Sequence, residues 1–299
     1  MSARAKILMI DPTHFDVSYR INPWMKPDLW ARDPEGFRAA ARTASDALHR
    51  ALSRAGCDVI VGAGRPGLPD MVFPANAAIV LDGRALLARF RYPQRQGEEA
   101  AFLAMFEALR AQGLLAEVAQ FPDGCHQEGA GDAIWDANRQ WFWAAHGPRS
   151  SRESLAHISG FFGQEVVPME LVSDRCYHLD VCFCPLSGGE ILYFPPALTQ
   201  DALRNLRERV PADMLIEATE EDLARFSVNA VNVGRQVVMA TPPDRLRSVL
   251  NERGYRVVPI ELSPFMMSGG GAYCMTLRLD RASVPEASVG NGRREAAMA

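Results

Sequence analysis

The chain has 299 residues, of which 48% are hydrophobic and 23% are charged, and this composition is typical of a globular protein with a large core. Its formal net charge of −4 gives no excess of positive charge that would attract nucleic acid or an anionic membrane, so a small-molecule substrate is favoured. No apolar run approaches the roughly 18 residues that a membrane-spanning helix needs, and the N-terminus has no signal-peptide layout. We therefore expect a cytoplasmic protein whose six cysteines are reduced thiols.

The predicted elements follow a recurring order along the chain. An apolar strand, KILMID, and a helix near residues 36 to 55 come first. The segment NAAIVLDGRALLARF then predicts a hairpin that turns at Asp82-Gly83, with a helix near 97 to 112. The same order returns in GDAIWDANRQWFWAA with a helix near 151 to 162, in LDVCFCPLSGGEILYF with a helix near 200 to 209, and in NAVNVGRQVVMA with a helix near 242 to 252.

Short apolar runs after the helices, such as DVIVGAG, LAEVAQF, EVVPMELV and RVVPIEL, predict one more strand for each unit. The opening segment and the closing GGGAYCMTLRLD are expected to share a fifth unit. We therefore predict an α/β fold in which about five modules form a closed ring, with the first strand of each hairpin at a common axis. No linker interrupts residues 1–282, which we assign to one domain, whereas the small, polar residues of 283–299 are typical of a flexible tail.

Polar residues recur just before or within the first strand of each unit. They are Asn22, Asn76, Asp132, Asp180, Asn229 and Cys274. Any one of them alone could close a turn or cap a strand. Because a polar side chain in an apolar strand is costly to bury without a partner or a ligand, their repetition favours a functional site on the axis.

Two of these positions have the chemistry of a nucleophilic enzyme. Cys274 follows the run Ser268-Gly269-Gly270-Gly271, which allows close approach of a substrate and frees backbone amides to support negative charge. A structural cysteine is the alternative. His178 precedes Asp180 by two residues, and in a strand both side chains would lie on one face, where the imidazole could transfer protons and the carboxylate could bind a cation.

Two more acids, Glu128 and Asp132, flank a glycine-alanine-glycine step in QEGAGD. Carboxylates beside a cysteine and a histidine suit a cationic, planar guanidinium, although a hairpin turn with solvated acids is the alternative. The spacing of Cys176, Cys182 and Cys184 around His178 matches no structural zinc site, and no phosphate-binding loop is present. We predict neither a metal nor a cofactor.

Six motifs, in this order, resemble those of the guanidine-modifying superfamily: HFDVSYRINPWM, VFPANAA, ARFRYPQRQGE, QEGAGD, HLDVCFCPL and GGGAYCMT. This superfamily includes arginine deiminase, dimethylarginine dimethylaminohydrolase and glycine amidinotransferase. The motifs span residues 14 to 276, nearly the whole chain. The resemblance implies a five-bladed α/β propeller, the pentein fold, and a hydrolase that attacks the guanidinium carbon of arginine through a covalent cysteine intermediate.

The resemblance also implies a role for each matching residue. Cys274 is the expected nucleophile, His178 the general acid and base, and Glu128 the acid that partners the histidine. Asp180 is expected to bind the guanidinium, and Asp132 matches a further acid of the motif, displaced by one extra residue. The expected ligands of the substrate's α-carboxylate are Arg95 and Arg149.

The finer assignment depends on Asn76, because deiminases usually have an aspartate at this place. An asparagine here, together with INPWM around Asn22, resembles the arginine dihydrolase branch, which converts arginine to ornithine, carbon dioxide and two ammonia. Asp180 disfavours the dimethylargininases, which commonly lack that acid. The alternatives are a deiminase, a dimethylargininase, a citrulline hydrolase, an amidinotransferase and, outside the enzymes, an arginine-binding module. A homo-oligomer is possible.

Overall fold

Five three-stranded sheets organise residues 4–283, the part of the chain that the computed structural model describes. The strands are β1 (Ala5–Ile10), β2 (Cys57–Gly62), β3 (Ala78–Leu81), β4 (Arg84–Leu87), β5 (Glu117–Gln120), β6 (Ala133–Asp136), β7 (Trp141–His146), β8 (Glu165–Glu170), β9 (Phe183–Pro185), β10 (Ile191–Tyr193), β11 (Leu215–Glu217), β12 (Val231–Val233), β13 (Gln236–Ala240), β14 (Arg256–Ile260) and β15 (Leu277–Arg278). The helices are α1 (Pro27–Trp30), α2 (Pro34–Arg54), α3 (Pro93–Ala111), α4 (Ser154–Phe162), α5 (Gln200–Arg209), α6 (Glu220–Ala224), α7 (Asp244–Glu252) and α8 (Ser263–Met266). The tail predicted for 283–299 lies, apart from Ser283, outside the described residues.

The blade formed by β3, β4 and β5 illustrates how the sequence builds each unit. Strands β3 and β4 pair antiparallel across Asp82 and Gly83, whose φ angles of 54° and 70° suit the tight hairpin turn that aspartate-glycine favours. Pro93 starts α3, and its buried Phe102, Phe106 and Leu109 recur at helical spacing on the face that packs against the sheet. The chain then returns as β5, parallel to β4.

The predicted repeat of hairpin, helix and strand is confirmed in four blades, where the second hairpin strand is always central in the sheet. The fifth blade is also confirmed, because β1 pairs antiparallel with the closing strand β15 and parallel with β2. Strand β11 has only three residues, and no apolar run like those that predict the other third strands marks it in the sequence. No helix within residues 4–283 is long and apolar enough to cross a membrane.

The predicted polar positions lie in the turns that lead into the first strand of each blade. Asn76, Asp132, Asp180, Asn229 and Cys274 each precede such a strand, namely β3, β6, β9, β12 and β15. The placement predicted for Asn22 is wrong. This residue lies in the loop before α1, because the long segment after β1 leads into helices and not into a strand, and it lines a cavity there.

Phe106 tests the packing of α3 against its blade. Its side chain is fully buried among Val80, Leu87 and Phe102. Replacing it with alanine should lower the free energy of unfolding by about 3–5 kcal/mol, through lost burial and the cavity left behind. Urea unfolding measures this, with Glu107→Ala, at a position of the same helix whose side chain is 40% exposed, as the control. Equal stabilities of the two variants would contradict the described packing.

Candidate active site

Cys274 lies at the centre of a polar cluster and not in hydrocarbon. Its thiol donates to Asp180 Oδ2 at 3.2 Å, and Asn229 Nδ2 donates to the sulfur at 3.1 Å. The backbone amides of Tyr273 and Cys274 donate to Asn229 Oδ1, which fixes the turn that presents the sulfur. Burial, followed by the charge of Asp180, raises the pKa of the thiol well above its usual range. These surroundings therefore favour a neutral thiol at physiological pH.

Two carboxylates contact the ring of His178. Its Nδ1 lies 3.0 Å from Asp132 Oδ2, and its Nε2 lies 3.2 Å from Glu128 Oε2. The second contact lacks the direction of a hydrogen bond, so Nε2 has no hydrogen-bond partner within the described residues. Burial favours a lower pKa for the imidazole, but Asp132 and Glu128 outweigh it and raise the pKa to about 9. His178 is therefore protonated at neutral pH.

The structure corrects the local geometry predicted for His178 and Asp180. They do not share one face of a strand, because His178 precedes a short 3-10 turn, Leu179–Val181, that contains Asp180. The cause is a tertiary contact: the Leu179 amide donates to Asp132 Oδ1 at 3.0 Å and bends the chain before β9 begins. The imidazole and the Asp180 carboxylate consequently reach different partners.

The acids of QEGAGD both contact the imidazole, whereas the resemblance implied this contact for Glu128 alone. Asp132 also accepts from Ser150 Oγ at 2.6 Å, which fixes its orientation. Glu128 accepts from Arg149 Nη1 at 2.9 Å. Burial favours a raised pKa for Glu128, but Arg149 and then His178 lower it well below its usual range, so this carboxylate is ionised.

Arg149 and Arg95 both line the cavity above Cys274, but each is already partly paired. The Arg149 guanidinium lies 4.7 Å from the ring centres of Tyr92 and Tyr177 and donates to the Ile21 carbonyl. Arg95 forms a bidentate pair with Glu98 and donates to Asn76 Oδ1 and the Asp70 carbonyl. Burial raises the pKa of Glu98 to about 7, against the opposing effect of Arg95.

The cavity is small, with a volume of about 10 Å³, and brings most of the predicted residues together. It is lined by Ile21, Asn22, Asp70, Phe73, Asn76, Arg95, Arg149, Tyr177, Ser268, Gly270 and Cys274. His178, Glu128 and Asp132 form the adjoining layer, connected to this lining through Arg149. A larger cavity, of about 240 Å³, touches the site only at Asp180 among the predicted residues, so the smaller cavity is the candidate active site.

Asp70 is the site residue that the sequence analysis missed. It is only 3% exposed and accepts from Tyr19 Oη at 2.8 Å and from Ser268 Oγ at 3.1 Å. Asn22 completes this side of the cavity, where its Nδ2 donates to the Ser268 carbonyl at 3.0 Å. The available signal was an acid six residues before Asn76 in the apolar segment PDMVFPAN. Within residues 4–283, no cluster of three or more metal-ligating side chains could bind an ion.

Asp132→Asn tests the electrostatics of the imidazole. Removing this charge should lower the pKa of His178 from about 9 by roughly one unit or more, because a principal cause of the raised value is lost. An NMR titration of the imidazole measures the change, with Asp201→Asn, at an exposed position on α5, as the control. A histidine that titrates alike in all three proteins would refute the assigned role of Asp132.

Comparison with known proteins finds relatives along nearly the whole chain. The chain matches the family described as N,N dimethylarginine dimethylhydrolase, eukaryotic, over residues 11–281. It is 39% identical over 286 residues to the bifunctional arginine dihydrolase/ornithine cyclodeaminase ArgZ of Synechocystis sp., covering 96% of this chain and 39% of ArgZ. It is 31% identical over 271 residues to the N(G),N(G)-dimethylarginine dimethylaminohydrolase of Mycobacterium tuberculosis, covering 91% of this chain and 84% of that relative. The chain thus spans about two-fifths of the length of ArgZ.

A solved structure supports the same relationship. The N-terminal domain of ArgZ, described as a cyanobacterial arginine dihydrolase and bound to substrate, superposes with a TM-score of 0.86 at 38% identity. The match covers 94% of this chain and all of that domain. The five-bladed α/β propeller and the superfamily resemblance are thereby confirmed. The chain belongs to the N,N-dimethylarginine dimethylhydrolase family.

Proposed function

We propose that this chain is an arginine dihydrolase, which converts arginine and two waters to ornithine, carbon dioxide and two ammonia. The observation that most supports this is the Cys274 thiol, which lies 3.2 Å from the buried carboxylate of Asp180 in a cavity lined by two arginines and Asn76. A nucleophile beside an acid suits a cationic carbon centre. The relative ArgZ is described as an arginine dihydrolase, and its N-terminal domain is known covalently bonded to a reaction intermediate.

The substrate's own charge activates the sulfur in this proposal. Burial raises the pKa of Asp180 to about 6, so this acid is mostly ionised at neutral pH. A guanidinium bound to Asp180 would compensate the negative charge that raises the pKa of Cys274. The thiol then loses its proton to solvent, and the thiolate adds to the guanidinium carbon.

His178 supplies and later accepts the catalytic proton. Because its pKa of about 9 leaves it protonated at pH 7, the imidazolium can donate to the departing nitrogen, which leaves as ammonia. The carbon remains bonded to Cys274 as an amidino intermediate. The neutral imidazole then takes a proton from water, whose oxygen attacks this carbon, and cleavage of the C–S bond yields citrulline.

A second round completes the conversion. The thiolate adds to the ureido carbon, and the second ammonia leaves with a proton from His178. Water hydrolyses the resulting thiocarbamate, and the carbamate of ornithine loses carbon dioxide. Asn76 supports this round, because its NH2 can donate to the neutral ureido oxygen, which a carboxylate would repel.

The remaining contacts suit the amino-acid end of the substrate. Arg95 and Arg149 line the cavity, and guanidinium groups bind carboxylates well, so we assign them the α-carboxylate. Asp70 is the buried acid on the same wall, and we assign it the α-ammonium group. Asn22 orders Ser268, which in turn donates to Asp70.

Dimethylarginine is the second candidate substrate, favoured by the family match and by the 31% identity to the mycobacterial dimethylargininase. Product analysis separates the candidates. A dihydrolase releases ornithine and two ammonia from arginine, whereas a dimethylargininase releases dimethylamine from dimethylarginine. A protein that only binds arginine releases neither ammonia nor dimethylamine.

Cys274→Ser tests the nucleophile. Ornithine formation, followed by mass spectrometry, should fall by several orders of magnitude, because removal of a nucleophile normally has an effect of this size. Cys57→Ser, at a buried cysteine in β2 outside the cavity, should retain activity. Substantial turnover by the Cys274 variant would place the nucleophile elsewhere.

Asn76→Asp tests the product assignment. The added charge should repel the ureido oxygen of citrulline and shift the product from ornithine towards citrulline by about tenfold or more. The ratio of the two amino acids is measured at equal consumption of arginine. Asn205→Asp, on α5 outside the cavity, is the control and should leave the ratio unchanged. An unaltered ratio in Asn76→Asp would remove this explanation.

A further inference from the structure

The side-chain amide of Asn76 has a defined orientation. Its oxygen accepts from Arg95 Nη1 at 2.9 Å, and because a guanidinium has only donors, the amide oxygen must face Arg95. The NH2 group therefore faces the other way, where its protein acceptor is the Glu128 carbonyl at the long distance of 3.4 Å. This leaves much of its donor capacity for a ligand.

The NH2 group of Asn76 lies next to the nucleophilic centre. A methyl group built on Gly131 would come within 2.3 Å of Asn76 Nδ2 and within 3.7 Å of Asp180 Oδ2, so both atoms converge on this glycine. Asp180 in turn accepts from the Cys274 thiol. The amide donor and the acid that contacts the nucleophile thus lie close to each other.

Glu98 fixes the guanidinium that orients this amide. It lies one helical turn after Arg95 in α3 and contacts Arg95 Nε at 2.9 Å and Nη2 at 2.8 Å. The side chains of the pair are 4% and 0% exposed. Asp70 and Glu128 also attract Arg95, so without Glu98 the guanidinium would be drawn towards them and away from Asn76. Glu98 itself does not line the cavity.

We propose that Glu98 is a positioning residue that determines the product: through Arg95 it keeps the NH2 of Asn76 directed at the substrate and so commits the enzyme to the second hydrolysis. This inference rests on the proposed dihydrolase function. It assigns specificity to a residue that touches no substrate. A loose amide could rotate and present its oxygen to the ureido oxygen, which would favour release of citrulline.

The test is the citrulline-to-ornithine ratio formed from arginine by Glu98→Gln. We expect the ratio to rise by about tenfold, because a charge-assisted hydrogen bond is lost from the chain of contacts. Glu98→Asp, which retains the charge, should restore part of the ornithine yield. Glu107→Gln, at an exposed acid of the same helix, is the matched control and should give the wild-type ratio. A rise in KM at a constant ratio would assign the pair to substrate binding alone and overturn the inference.

A second variant covers the case in which Glu98→Gln, with its unpaired buried arginine, does not fold. The double substitution Arg95→Met with Glu98→Leu removes both charges, keeps the volume similar and still frees Asn76. Because Arg95 is also assigned to the substrate's α-carboxylate, KM should rise, and the ratio, measured at saturating arginine, should rise as well. A folded double variant that forms neither product at saturating arginine would assign the pair to substrate binding and overturn the inference. If wild type forms ornithine and folded variants keep its ratio, the inference alone is wrong. If wild type forms no ornithine, the proposed function and the inference are both wrong.

Discussion

The contact between the Cys274 thiol and the buried carboxylate of Asp180 is the interaction on which the site depends. An acid beside a sulfur disfavours a thiolate, so this contact favours a neutral thiol at Cys274. In the proposed mechanism a cation bound at Asp180 reverses this balance. The pair would then couple activation of the nucleophile to the binding of a guanidinium.

The propeller makes this crowding of polar groups possible. Each blade contributes the turn before its first strand, and these turns meet at the axis, while side chains of the strands and helices form the apolar core. The resulting cluster is buried, so its polar groups must be paired within the cluster itself. Arg149 pairs with Glu128, Glu98 pairs with Arg95, and His178 lies between two acids.

Much of the architecture could be predicted from the sequence, because the repeat of hairpin, helix and strand is a local pattern of apolar residues and turns. Cys274, Asn76 and Asp180 were also found, since each recurs at one place in the repeat. The strand geometry around His178 was wrong, because a contact with Asp132, 46 residues away, bends the chain there. No periodicity encodes such a contact.

The pairing of charges could not be predicted from the sequence for the same reason. In the sequence, nothing distinguishes Glu98 from other acids of the helix. In the structure it is buried against Arg95, and this pair lies beside Asn76. Asp70 meets Ser268 across 198 residues of chain. Residue types and spacing predicted which groups are candidates for the chemistry, whereas the groups that contact and orient them became evident only in three dimensions.

Rapid-quench mass spectrometry can detect a covalent bond between Cys274 and the substrate carbon. Wild-type protein is mixed with arginine that carries ¹³C in its guanidinium carbon, quenched in acid within the first turnovers and digested. We expect the labelled carbon to be transiently bonded to the peptide containing Cys274. If the label never appears on protein during turnover, or appears on another residue, Cys274 is not the nucleophile.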